Sequence, residues 1–236
     1  MWLNQQQISD VAIQGFRKSL KRSCPNHIVI DDLFTQAKLD EVLRMLKQSH
    51  DWQPQKHTYS ALYVSNTQWQ KTNNAERFVR RDVWRRNTVN ANTANTNNFE
   101  TNIAQDFLSY LRGNEFMTLL SAIFKVPLTD INVARPEINT NYFRLGPKDF
   151  VCEHADDSPG REVCMLLYLN KEWNHNAGGE LIFNSNKERP VSIAPLHNRC
   201  VLFDPSSEGS EHWVKKLNCE FAETYRYNVT SWYWSE

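Results

Sequence analysis

An α+β chain with a mainly β core is what this sequence predicts: a double-stranded β-helix (a jelly roll, cupin-like) backed by N-terminal helices. Two observations carry that reading. Before about residue 125, apolar residues recur at the spacing of amphipathic helices. After Asn141 the chain turns to β-branched and aromatic runs broken by Gly, Pro and Asn, the pattern of antiparallel strands. A single domain over residues 1–236 is expected, with a helical lobe in 1–135 that includes a strand and a β-helix core in 136–236.

In chain order, Ile8 to Lys21 reads as a helix, with Ile8, Val11, Ala12, Phe16 and Leu20 near one stripe. Ile28-Val29-Ile30 reads as a short strand that Asp31-Asp32 breaks. Thr35 is the expected cap of a helix burying Leu39, Val42, Leu43 and Leu46. Phe107 to Phe124 reads as one further helix with Leu108, Leu111, Leu119 and Leu120 inward. Residues 87–102, rich in Asn and Thr, form a low-complexity segment expected to be a loop, either a lid over substrate or a tolerated insertion. No internal repeat stands out.

Bulk properties narrow the class. A length of 236 residues with 40% hydrophobic content suffices for a sizeable core. The 27 basic side chains balance 27 acidic ones, which argues against a nucleic-acid partner held by electrostatics. No apolar stretch approaches the roughly 20 residues that cross a bilayer. The opening Met1-Trp2-Leu3-Asn4 lacks the charged-then-apolar pattern of a signal peptide, so a soluble, cytoplasmic chain with no membrane partner is expected. Cys24, Cys152, Cys164, Cys200 and Cys219 form an odd set without C-x-x-C spacing and read as reduced, buried thiols. The sequon Asn228-Val229-Thr230 is incidental in such a chain.

The most informative motif is His154-Ala155-Asp156 with a distant His212 and, beyond it, Arg226. Residues i and i+2 of a strand share a face, so one strand can aim an imidazole and a carboxylate at a single ion. A second imidazole completes a 2-His-1-carboxylate facial triad, which leaves coordination positions open and suits non-heme Fe(II). The tripeptide alone is weak; its surroundings are not. Tyr142 to Gly146 precedes it, and Arg161 with the apolar run Val163 to Leu169 and Asn170 follows. Then come Gly178-Gly179-Glu180-Leu181, Phe203, His212-Trp213-Val214 and Arg226-Tyr227-Asn228-Val229-Thr230-Ser231-Trp232. In this order the motifs resemble those of the Fe(II)- and 2-oxoglutarate-dependent oxygenases, in their prolyl-4-hydroxylase-like branch, over about residues 142–234.

That resemblance implies Fe(II) held by His154, Asp156 and His212, with 2-oxoglutarate as co-substrate, O2 as oxidant and ascorbate as reductant. It makes Arg226 the anchor of the far carboxylate of 2-oxoglutarate, a role its planar fork suits, and Tyr142 a second donor to that carboxylate. The implied reaction is hydroxylation of an unactivated aliphatic C–H. Halogenation is disfavoured, because a halide would need the position that Asp156 occupies.

The substrate is less legible. The prolyl branch implies a prolyl segment of a protein. Asn228 and Ser231 depart from its usual Ser and Gly, and Asn228 and Thr230 alternate onto the face of Arg226, where they would offer polar contacts or merely satisfy neighbouring groups. This favours a free amino acid or a similar small molecule, narrowly. A non-catalytic protein that binds iron and 2-oxoglutarate is the further alternative.

Three other features carry two readings each. Arg77 to Arg86 holds five arginines with Phe78 and Trp84 interleaved: a solvated face, or a grip on an anionic substrate group through Arg80 or Arg81. Gly178-Gly179 reads as a sharp turn rather than a ligand contact. Trp213 reads as core filling rather than a wall of the iron pocket.

Overall fold

The computed structural model describes residues 1–86, 102–185, 189–218, 220 and 225–235. Apart from Asn102, the loop expected at 87–102 lies outside them, as does Cys219. Ser9 accepts from the Ala12 N–H and starts α1 (Asp10–Arg22). Val11, expected on its buried stripe, is 81% exposed; Ile8, Ile13 and Phe16 half-bury instead and Leu20 is the residue fully covered. β1 (His27–Asp31) follows, then α2 (Gln36–Gln48), whose Leu39, Val42, Leu43 and Leu46 are all buried. Thr35 stands at its N-cap position without a side-chain capping bond.

β2 (Trp52–Thr58), α3 (Asn66–Lys71) and β3 (Arg77–Trp84) come next. The helix expected over Phe107–Phe124 is two, α4 (Ile103–Leu111) and α5 (Asn114–Phe124). The break has a cause: Gly113 takes an extended N-cap conformation, and the side chain of Arg112 turns to Asp130 and the carbonyl of Trp232. The four leucines expected inward in that segment are inward.

The rest is strand: β4 (Leu128–Thr129), β5 (Thr140–Leu145), β6 (Phe150–His154), β7 (Arg161–Tyr168), β8 (Leu181–Phe183), β9 (Val191–Ile193), β10 (Arg199–Phe203), β11 (His212–Val214) and β12 (Arg226–Ser235). All pairings are antiparallel, in the order β1-β10-β7-β12-β5-β3-β6-β11-β8-β9, with β2 against β3 and β4 against β12. β2 and β3, in the part expected to be mainly helical, thus join the sheet, and β3 bridges β5 to β6.

The sheet curls into the two facing layers of a double-stranded β-helix, and β7 shows why its strands read as continuous apolar runs. Val163, Met165, Leu167 and Leu169 pack outward on the helices, beside Phe107, Leu111, Phe116 and Leu120. Cys164, Leu166 and Tyr168 point inward, against Leu181 and Phe183 of β8 and Val201 and Phe203 of β10. A strand buried on both faces cannot alternate with polar residues. β12 obeys the same parity: Tyr227, Val229 and Tyr233 belong to the helix-facing core, and Arg226, Asn228, Thr230 and Trp232 face the interior.

Phe107 joins the layers, meeting Trp2 at 4.7 Å and the edge of Phe34 at 5.1 Å between ring centroids. Phe107→Ala should destabilise the chain by about 3–5 kcal/mol. Urea unfolding would read this as a lower midpoint at unchanged slope.

Candidate metal centre

β6 ends at His154 and β11 begins at His212, and the two residues are cross-strand partners. Their rings lie 4.4 Å apart between centroids. In each, Nδ1 meets the carbonyl oxygen two residues back: Cys152 for His154 and Ser210 for His212, both at 2.9 Å. A carbonyl only accepts, so each Nδ1 carries the hydrogen and each Nε2 is left with a free lone pair.

Both Nε2 atoms face Asp156, His154 at 3.9 Å from Oδ1 and His212 at 3.7 Å from Oδ2. Neighbouring ligands bonded at about 2.1 Å to one ion lie some 3 Å apart, so small shifts close this set on a metal. Among the described residues, these three form the cluster of His, Cys, Asp and Glu whose ligand atoms all lie within 4.8 Å of one another.

Asp156 does not arrive by strand alternation as expected, because the strand has already ended. It lies in the segment that follows, and other groups hold it. Trp232 Nε1 donates to Oδ2 at 2.9 Å, and Arg161 donates to the Asp156 backbone carbonyl, its NH1 3.7 Å from Oδ1. Burial opposes the carboxylate charge, yet His212, His154, Trp232 and Arg161 together bring its pKa below the usual value. The pKa of His154 falls to about 4, through burial first and then the neighbouring His212.

From Trp232 the inner face of β12 continues through Thr230 and Asn228 to Arg226, at about 6.6 Å per step. Arg226 NH1 donates to Asn228 Oδ1 at 2.9 Å, and Asn228 Nδ2 donates to Thr230 Oγ1 at 3.0 Å. Asn228 and Thr230 therefore bond along this ladder, to Arg226 and to each other. Arg226 Nε and NH2 are buried without a partner, as is the hydroxyl of Tyr168, over whose ring the guanidinium sits at 4.8 Å. Burial lowers the pKa of Arg226. Orphaned donors beside a buried cation call for an acceptor, and a carboxylate supplies it.

Gly178 and Gly179, at φ 74° and 84°, make the turn expected of them. They also border the Arg226 pocket: a Cβ on Gly179 would lie 3.0 Å from Arg226 Cδ, and one on Gly178 would strike the Lys216 carbonyl at 2.1 Å.

Three expectations need correction. Tyr142 pairs with Val229, so it faces the helices, where its hydroxyl donates to the Ala104 carbonyl at 2.8 Å; Tyr168, opposite Asn228, is the tyrosine beside Arg226. Arg80 points away and meets Asp149 at 3.3 Å, whereas Arg81 lines the cleft in front of His154 and Asp156. Trp213, half-buried next to His212, belongs to no core cluster. The sequence reading also passed over Trp232, Tyr168 and His57 as site residues. The signal for Tyr168 was a tyrosine in a doubly buried run, which must find a hydrogen-bond partner.

His154, Ala155 and Asp156 border a cleft of about 750 Å³ whose wall includes Gln55, His57, Phe78, Phe143 and Trp232. At its rim Tyr59, Leu62 and Tyr63 are 59%, 62% and 68% exposed.

Comparison with known proteins agrees with this geometry. Residues 140–234 match the model of the 2OG-Fe(II) oxygenase superfamily. Over that segment the chain is similar to that superfamily. Prolyl 3-hydroxylase OGFOD1 of Mus musculus is 27% identical over 139 residues, 56% of this chain and 24% of that protein. The chain thus spans about a quarter of the length of this curated relative. Among solved structures, a prolyl hydroxylase of Trichoplax adhaerens in complex with a hypoxia inducible factor peptide fragment superposes at TM-score 0.63 and 20% identity, over 98% of this chain and 92% of that one. A Pseudomonas putida prolyl-4-hydroxylase gives TM-score 0.60 at 13% identity, over 94% and 98%. These two share the fold of this chain. No helix among the described residues is long and apolar enough to cross a membrane.

The cleft carries a pH signature. Burial, then Arg81 and His154, lower the pKa of His57 to about 4 from 6.5. Between those values the unfolded chain binds protons that the folded chain refuses. The stability these histidines contribute is therefore intact above about pH 6.5 and lost as pH falls toward 4. The thermal midpoint of the metal-free protein should drop across that window, and His57→Gln should flatten the dependence. An unchanged slope in that variant would exclude His57 as a source.

Proposed function

We propose that this chain is an Fe(II)- and 2-oxoglutarate-dependent dioxygenase that hydroxylates an aliphatic C–H of a peptide segment, with a prolyl residue as the target. The observation that carries the reading is a 2-His-1-carboxylate cluster facing a wide cleft with an exposed aromatic rim. The chemistry of the donors fits the absent groups. His154, Asp156 and His212 would hold Fe(II), and the Nε and NH2 of Arg226, with the Tyr168 hydroxyl, would take the far carboxylate of 2-oxoglutarate.

Bound together, iron and 2-oxoglutarate supply the oxidation: O2 and 2-oxoglutarate become succinate and CO2 as one oxygen atom enters the substrate C–H bond. The protein contributes geometry. Trp232 holds Asp156 in ligating position, the two backbone carbonyls keep both Nε2 atoms available, and Asn228 steers Arg226. Phe78, Phe143 and Trp232 limit water beside the reacting carbon.

A peptide is preferred to the free amino acid favoured by sequence for two reasons. Asn228 and Thr230, which prompted that preference, spend their polar atoms on the Arg226 ladder. A small polar molecule also calls for an enclosed site, whereas this cleft opens between exposed aromatic side chains that suit an extended segment. The prolyl hydroxylase name of the curated relative points the same way.

Mass spectrometry after incubation with Fe(II), 2-oxoglutarate, ascorbate and O2 tests this reading. Proline-containing peptides should gain one oxygen, and Asp156→Ala should abolish the gain. Oxygen on free amino acids alone would overturn the peptide reading, and no conversion of 2-oxoglutarate under any condition would favour a binding protein without catalysis. Tyr168→Phe should raise the KM for 2-oxoglutarate about tenfold, the value of a hydrogen bond to a charged group. Tyr142→Phe should leave that KM alone and lower stability by about 1 kcal/mol.

A further inference from the structure

The cleft holds a positive charge that neither the metal cluster nor the Arg226 pocket uses. Arg81 lies on β3 with its guanidinium 3.4 Å from the ring centroid of Phe143. Among the described residues its hydrogen bond is one, from Nε to Gln55 Oε1 at 2.7 Å. Arg81 is one of the residues that line the cleft. Burial nevertheless brings its pKa down to about 10, with Asp156 the acid that most supports its charge. Asp156 is already committed to the two histidines and Trp232.

Two neighbours on β2 present the same chemistry. Gln55 spends its carbonyl oxygen on Arg81, which leaves its NH2 as a donor. His57 accepts at Nδ1 from the Tyr63 N–H at 3.2 Å, so the neutral ring carries its hydrogen on Nε2. Gln55, His57 and Arg81 all line the cleft, two of them as buried side chains at 8% and 5% exposure. A wall of N–H donors with one uncompensated positive charge selects an anionic acceptor over a neutral one.

We propose that Gln55, His57 and Arg81 form a subsite that binds a carboxylate of the substrate while its target carbon faces the metal centre. This rests on the reading that substrate occupies this cleft. The carboxylate has two possible sources: an acidic side chain close to the target residue in a peptide, or the terminal carboxylate of a short peptide or free amino acid. The subsite is distinct from the Arg226 pocket, which lies further along β12.

The test uses the full chain with Fe(II) and 2-oxoglutarate under nitrogen, titrated with matched acid and amide probes. Proline peptides bearing Asp or Glu are compared with their Asn or Gln forms, peptides ending in proline with their C-terminal amides, and proline with prolinamide. At least one acid should bind ten or more times tighter than its amide, and the pair that does so names the source. Arg81→Gln should bring that ratio close to one, and Arg81→Lys should retain part of it. Equal binding of acid and amide in every pair overturns the proposal without recourse to any variant. A preference that survives Arg81→Gln overturns it too. Admitting O2 separates this from the parent reading: oxygen incorporation without an acid preference defeats the subsite alone, and an acid preference without incorporation into any probe defeats the hydroxylase reading alone.

Discussion

The alternation of side chains along β12 is the constraint on which this molecule depends. The strand is buried on both faces, so each residue must satisfy one of two very different neighbourhoods. Outward, Tyr227, Val229 and Tyr233 pack on the helices, and the Tyr233 hydroxyl donates to the Leu111 carbonyl at 3.0 Å. Inward, Arg226, Asn228, Thr230 and Trp232 run from the buried guanidinium of Arg226 to the carboxylate of Asp156. A register slip of one residue would exchange the two sets, bury a guanidinium among leucines and empty the site. Hydrophobic packing of the outer face thereby holds the polar inner face in place.

The charges in the interior follow from that arrangement. Arg226, Arg81 and Arg161 all lie near the cleft or the His-Asp-His cluster, where Asp156 supports the charges of Arg81 and Arg161 and Glu180 that of Arg226. Uncompensated buried cations are costly unless a ligand neutralises them, so the excess is better understood as complementarity to anions that arrive than as a stabilising feature of the fold. His57 and His154 stay neutral for the same reason: adding protons to this neighbourhood works against both burial and existing positive charge.

Where sequence reasoning failed, each failure has a physical source. Tyr142 and Tyr168 are both tyrosines on apolar strands, and only the pairing partners, Val229 for one and Asn228 for the other, assign them to opposite faces. The arginine cluster concealed β3, because a strand whose charges find partners on β5 (Asp82 with Arg144) and in the turn before β6 (Arg80 with Asp149) does not look apolar. The helix broken at Gly113 kept its apolar period through the break, so period alone could not reveal it. Asp156 seemed to sit on a strand because H-x-D has strand spacing, but the chain leaves the strand after His154.

The residue types and order along the chain determined the fold class, the buried face of α2, the apolar run of β7 and the grouping of His154, Asp156 and His212, because local periodicity and donor chemistry belong to the residues themselves. Tertiary structure decided which tyrosine stands beside Arg226, which of two adjacent arginines enters the cleft, and that Asn228 and Thr230 serve Arg226 instead of the cleft. Those outcomes depend on strand register and on how the two layers close over one another, and both are set by packing between residues far apart in the chain.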